Sequence, residues 1–248
     1  MSKFAFVILF LSAFIISQSF AQKTSDNPFI SAAYLPVNTH PQKDIFDSLI
    51  LAKYGLGRVA FDYAMLGYKN LREKHLLGNE QILSIIDFSI PSSKKRLFVL
   101  DLKNYKLLFN TYSAHGRNSG TVNTLYFSNE PESFKSSVGF YVTMGTYTGK
   151  HGYSLKLKGY EAGFNNNAEE RAIVMHSAEY VSEVLIKQQG YIGRSLGCPA
   201  LAPEIYKQVI AKIQNRSCIF MYGNDGNYIG NSKLLKQRIK LKKPGFQD

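Results

Sequence analysis

From Asp44 onward, apolar side chains recur at intervals of three and four. Ile45, Leu49, Leu51 and Ala52 precede Tyr54-Gly55; Val59, Phe61, Ala64, Met65, Tyr68 and Leu71 precede Gly78-Asn79. A period near 3.6 gives each run one apolar stripe, so a helical preface is expected over residues 44–78. After Gln81 the period changes. Residues 82–86, 96–100, 105–113, 139–144, 153–157 and 172–175 are short β-rich runs, with turn clusters such as Pro91-Ser92-Ser93 between them. Short runs at close intervals predict the strands of a sandwich or barrel rather than alternating strand–helix units. Pro203 then opens an expected helix over 203–214, with Ile205, Val209, Ile210 and Ile213 on its apolar face, and residues 218–222 read as a final strand. The expected fold is mainly β, a β-sandwich or barrel-like domain over residues 79–223. It carries a helical N-terminal preface and one helix after Cys198.

The two ends add an address and a charge. Lys3, the apolar stretch 4–16 and Ser19-Phe20-Ala21 have the order of a cleaved export signal, residues 1–21. That stretch is too short for a bilayer, which takes about 20 apolar residues. Export to the periplasm or cell envelope is therefore expected, with no integral membrane segment after cleavage. Residues 22–43, without any period, are expected as a flexible leader. Lys and Arg outnumber Asp and Glu 30 to 18, a formal charge of +12. Part of this charge crowds residues 224–248, where Lys233, Lys236, Arg238, Lys240, Lys242 and Lys243 read as a solvated basic tail. A basic surface favours polyanions such as acidic wall polymers. No nucleic-acid motif accompanies it, and export argues against nucleic acid as a partner.

The chain holds two cysteines. In an exported protein this invites a disulfide first. Cys218, however, lies within the apolar run 218–222, as a small buried residue does. Cys198 sits in "GRSLGCPAL", residues 193–201. Gly197 permits close approach of a substrate or of backbone, and Pro199 fixes the chain while donating no N–H. The expected helix at 203 would favour a thiolate if its N-terminal end points there. These features make Cys198 a candidate nucleophile, which needs a base. Of five histidines, His176 follows the apolar run 172–175 and precedes Cys198 by a stretch long enough to fold back. His115 also ends a run. Spacing alone leaves both open.

The stretches "IVMHSAEYV" and "GRSLGCPAL" resemble the signature of L,D-transpeptidases, the YkuD-like cysteine enzymes of bacterial cell-wall synthesis. The likeness is to the murein branch with a Gly-Arg-Ser-x-Gly-Cys-Pro motif. It continues through "ILSIIDFSIPSSKKRLFVLDL", "SAHGRNSG", "YFSNEPESFKSSVGFY", "GKHGYSLKLKGYE" and "GFNNNAEERAIVMH", and covers roughly residues 44–222. The resemblance implies that Cys198 is the acylated nucleophile, His176 its general base and acid, and Ser195 the motif's hydroxyl residue. Leu196 departs from the family, in which many members have a second histidine, and Pro199 stands where many have arginine. The tetrahedral oxyanion would be met by the backbone N–H of Cys198 with that of Gly197 or Leu196.

Peptidoglycan stem peptides are the implied partners: a donor tetrapeptide stem cut after its third residue, and the amine of a second stem as acceptor. Arg171, Arg117 and Arg194 are candidate holders of stem carboxylates, because an arginine fork fits a carboxylate. His115 is expected at the cleft wall. The serines 128, 133, 136 and 137 form a polar loop that could line the same cleft. No cofactor or metal is expected, and the chain is expected to act as a monomer. Two other readings stay open. An L,D-carboxypeptidase would use the same site with water as acceptor, and a non-enzymatic wall-binding module would have its two cysteines bridged. A papain-like protease has its cysteine before its histidine, the reverse of the order here.

Overall fold

The computed structural model describes residues 44–236. The expected signal peptide, the leader and the last basic residues lie outside the described residues. The preface forms as two short turns and one long helix: α1 (Ile45–Ser48), a 3₁₀ turn (Leu51–Tyr54) and α2 (Arg58–Glu73). The apolar stripe read from the sequence is the face that α2 buries, through Phe61, Ala64, Tyr68 and Leu71.

Eight strands follow: β1 (Ile82–Asp87), β2 (Leu97–Asp101), β3 (Lys106–Thr111), β4 (Gly139–Gly149), β5 (Gly152–Gly159), β6 (Val174–Ser177), β7 (Ala200–Leu201) and β8 (Cys218–Tyr222). They make one mixed sheet in the order β3-β2-β1-β8-β4-β5-β6-β7. The pairs β1–β8 and β6–β7 are parallel, the others antiparallel. Past β3, the Ala114 N–H donates to the Ala200 carbonyl at 2.9 Å. This bond draws the two ends of the sheet together into a near-barrel. The mainly β expectation with a helical preface is what the structure shows.

The central strands are buried on both faces, which is why their sequences read as unbroken apolar runs. Leu83, Ile85, Phe98, Leu100, Phe140 and Phe220 pack on one side with α2. Ile82, Ile86, Leu97, Val99, Tyr141 and Ile219 pack on the other with helix α4 (Tyr206–Ile213). Gly67, midway along α2, faces the Phe140 ring, and a Cβ there would come within 2.0 Å of it. The glycine costs helix propensity, on the order of 1 kcal/mol. In return, the helix backbone lies directly on the sheet.

Three boundaries differ from expectation. The helix after Cys198 begins at Tyr206, not Pro203, and Pro203 sits in the turn before it. Instead of one helix, α4 is joined by α5 (Gly226–Asn231) and α6 (Lys233–Lys236). The side chain of Asp225 caps α5. Leu234 and Leu235 bury beside α2, where Asn70 donates to the Leu234 carbonyl at 2.6 Å. The stretch expected as a tail is thus structured as far as Lys236. Helix α3 (Glu183–Gln189) lies in the excursion between β6 and β7.

Candidate active site

The site is assembled by the parallel pair β6–β7. His176 pairs with Ala200 and Ser177 with Leu201. Running that register back two residues sets Cys198 beside Val174, and the Val174 N–H indeed points to Sγ at 3.5 Å. Sγ also lies 3.6 Å from the Ala172 carbonyl. Cys198, in the bend just before β7, thus sets its Sγ against the β6 backbone at Val174, two residues before His176.

The loop that carries Cys198 is held by its own residues. Ser195 Oγ donates to the Cys198 carbonyl at 2.7 Å and accepts from the Gly197 N–H at 3.0 Å. Ser195 is itself pinned, its N–H on the His115 carbonyl and its carbonyl receiving the Arg117 N–H. Gly197 has φ +126, a conformation L-residues rarely adopt, and a Cβ would meet the Lys135 carbonyl at 2.9 Å. The close approach expected at Gly197 is thus made by the protein's own backbone. The Gly197 N–H, expected as one oxyanion donor, is bound to Ser195 Oγ here. Among the described residues, the N–H groups of Leu196 and Cys198 have no acceptor.

His176 is 4% exposed. Its Nδ1 lies 2.7 Å from the Ser177 carbonyl, which can only accept, so Nδ1 carries the proton and Nε2 keeps its lone pair. Burial lowers the His176 pKa, and the neighbouring His151 lowers it further, so the ring is neutral near pH 7. Burial also pushes the Cys198 thiol up, against the lowering pull of the Val174 N–H and the Arg171 charge. Along the chain, β7 lies between Cys198 and α4. At rest the pair is a thiol and a neutral imidazole.

Other expected residues lie close by in different roles. His115 is fully buried, not at a cleft wall. Arg96 Nη2 donates to its Nδ1 at 2.7 Å, and its Nε2 reaches the Gly120 carbonyl at 3.1 Å. With both nitrogens engaged within the fold, His115 leaves neither open to a stem peptide or a thiol proton in this arrangement. Its pKa falls to about 4, chiefly by burial and then by the Arg96 charge. Arg171 is half-buried, with Nη1 on the Ser128 carbonyl and Ser137 Oγ and Nη2 on the Lys135 carbonyl and Ser133 Oγ. No fork remains for a substrate carboxylate. Arg171 instead braces the polar serine loop, whose Ser136 Oγ donates to the Gly197 carbonyl. Arg194 reaches back to the carbonyls of Arg117 and Gly120 at 3.3 and 3.4 Å. Arg117 lies over the Phe134 ring.

Two residues near the site had no assigned role from sequence. Arg96 is wholly buried, and it donates to the Ser113 and Ile90 carbonyls and to Thr124 Oγ1 as well as to His115. His151, at the β4–β5 hairpin tip, stacks on His176. Its only sequence signal is its place between Gly149 and Gly152. Both cysteines are free, Cys218 deep among the residues facing α2.

The family model of the L,D-transpeptidase catalytic domain matches residues 52–222. No curated protein sequence matches. Among solved structures, an L,D-transpeptidase from Mycobacterium smegmatis is similar at 13% identity, covering 58% of this chain and 59% of its own, with a TM-score of 0.34. An L,D-transpeptidase from Stackebrandtia nassauensis is similar at 18% identity, covering 68% and 69%, also with a TM-score of 0.34. The chain thus spans less than two thirds of the first of these. The family match takes in the sheet from β1 to β8, α2 and the whole Cys198–His176 pair, and on that match the chain belongs to the L,D-transpeptidase catalytic domain family.

Proposed function

We propose that the protein is an exported cysteine acyltransferase that cross-links peptidoglycan stem peptides. The observation that carries this reading is the pair itself: a thiol on a self-clamped loop against Val174, two residues from an imidazole whose Nε2 has no partner among the described residues. Cys198 attacks the carbonyl of the donor stem's third residue, in its amide bond to the terminal residue, while His176 takes the thiol proton. The tetrahedral oxyanion is received by the N–H groups of Cys198 and Leu196, which have no acceptor of their own. His176 then protonates the departing amine of the terminal residue, leaving a thioester on Cys198. The amine of a second stem attacks the thioester, the cross-link forms, and the thiol is restored.

Because burial disfavours both the thiolate and the imidazolium, proton transfer in this reading accompanies attack rather than preceding it. Ser195 acts as a positioning residue, since its hydroxyl is committed to the loop. Free thiols support this reading over a bridged wall-binding module. Among the described residues no helix is long and apolar enough to cross a membrane. The deciding experiment is mass spectrometry of products from purified tetrapeptide stems, with and without an acceptor stem. Cross-linked dimers with loss of one terminal residue are expected. Tripeptide alone in the presence of acceptor would assign a carboxypeptidase, and no change to the stems would reject the substrate class. N-terminal sequencing of the mature protein tests export, with a start near Gln22 expected.

A further inference from the structure

The β4–β5 hairpin changes character midway. The inner half of β4 is buried, its register with β5 slips between Thr143 and Thr146, and beyond that point β4 is mostly exposed while Ser154 and Leu155 of β5 stay buried. Such irregularities re-aim the strand beyond them. At the tip, exposed His151 lays its ring on that of His176, with centroids 4.5 Å apart and planes inclined by 26°. The hydrogen bond from His176 Nδ1 to the Ser177 carbonyl fixes the tautomer, and the stacked His151 ring covers one face.

We infer that His151 is a positioning residue for the proposed base: its ring, packed flat on His176, holds Nε2 in the direction of the Cys198 thiol. This inference rests on the function proposed above. The arrangement also has a charge consequence, because two stacked imidazoles disfavour being cationic together. The groups around the pair act differently. The Arg171 charge bears on Cys198. Tyr180, beyond the end of β6, is pushed up to about 12 by burial and by Cys198, and stays neutral. Of the neighbouring side chains, His151 is the one that lowers His176 itself. It sits on an exposed tip outside the core, so its replacement leaves the fold in place.

The test is the pH profile of Cys198 alkylation by iodoacetamide, read by intact mass, with stem cross-linking kinetics alongside. Wild type, His151→Ala, His151→Phe and His176→Ala are compared as full chains. His151→Ala should slow alkylation near neutral pH and lower kcat by about tenfold, with KM little changed, as a misdirected base does. His151→Phe keeps a flat ring without a charge. It should recover the rate to within about threefold. If His151→Ala keeps the wild-type profile while His176→Ala alters it, His151 positions nothing and the inference falls, the proposed function standing. Equal losses in His151→Ala and His151→Phe also overturn it, since the flat ring would then not be what matters. A profile unchanged in His176→Ala overturns the base assignment and the inference together.

Discussion

Around His115, both ring nitrogens and the backbone carbonyl have partners: Arg96 on one ring nitrogen, the Gly120 carbonyl on the other, the Ser195 N–H on the carbonyl. Around His176 one nitrogen is anchored to Ser177 and the other is open, with a half-buried thiol on the adjoining strand. Both histidines follow an apolar run and both are neutral, yet one braces the site and the other is free to exchange a proton. The number of uncommitted ring nitrogens separates the two histidines, and position in the chain does not.

The largest effect expected from this contrast is on catalysis. His176→Ala should lower stem cross-linking on the order of 10²–10⁴-fold, with the thermal midpoint unchanged. Turnover within a few-fold of wild type would place the base elsewhere. The matching change on the other side acts on folding. Arg96→Met leaves the Ser113 and Ile90 carbonyls, Thr124 and His115 without their donor, and should cost about 3–5 kcal/mol in urea unfolding. A loss below about 1 kcal/mol would mean that this buried network is not what holds the region.

A third measurement uses pH. His115 titrates at 6.5 when unfolded and at about 4 when folded. The unfolded chain therefore binds the proton more readily, and the stability from His115 is complete above pH 6.5 and lost as pH falls toward 4. The loss is about 3 kcal/mol, taking 1.36 kcal/mol per unit. His176 is lowered in the same direction and adds to the slope. Urea midpoints across this window should fall less steeply in His115→Asn than in wild type, and parallel slopes would refute the assignment. The smallest effect concerns the second cysteine. Cys218→Ala truncates a buried side chain facing α2, and should cost about 1–2 kcal/mol while leaving cross-linking unchanged. Lost activity would couple the two thiols after all.

Legibility followed the range of the interactions. The preface could be read because α2 buries the stripe that its spacing displays. Strands β1, β2 and β8 could be read as apolar runs, although nothing in them says that both faces are covered. β7 is two residues long and carries no period; pairing with β6 makes it a strand. α5 is rich in Gly and Asn and owes its form to the Asp225 cap and buried Tyr228. In the site, the Gly-Cys-Pro context marked the thiol, and the family resemblance singled out His176. The fates of Arg171 and His115 were illegible because their partners lie far off in sequence: the serine loop 128–137 for one, Arg96 for the other. An arginine in a loop and an arginine sealed by carbonyls look the same on paper.

The excursion between β6 and β7 leaves and returns at a fixed place. The Ala178 N–H meets the Leu201 carbonyl and the Gly193 N–H meets the Tyr180 carbonyl, closing its neck. Val181 and Ile192 share a small apolar cluster with Ala114, Ala178 and Ala200, apart from the two large cores. The segment beyond that neck is a pendant on a scaffold whose alignment it does not set. Helix α3 could be lengthened, trimmed or exchanged by insertion there while the paired strands keep their register. Diversification of what such a site admits can then proceed by grafting, without rebuilding the reactive pair.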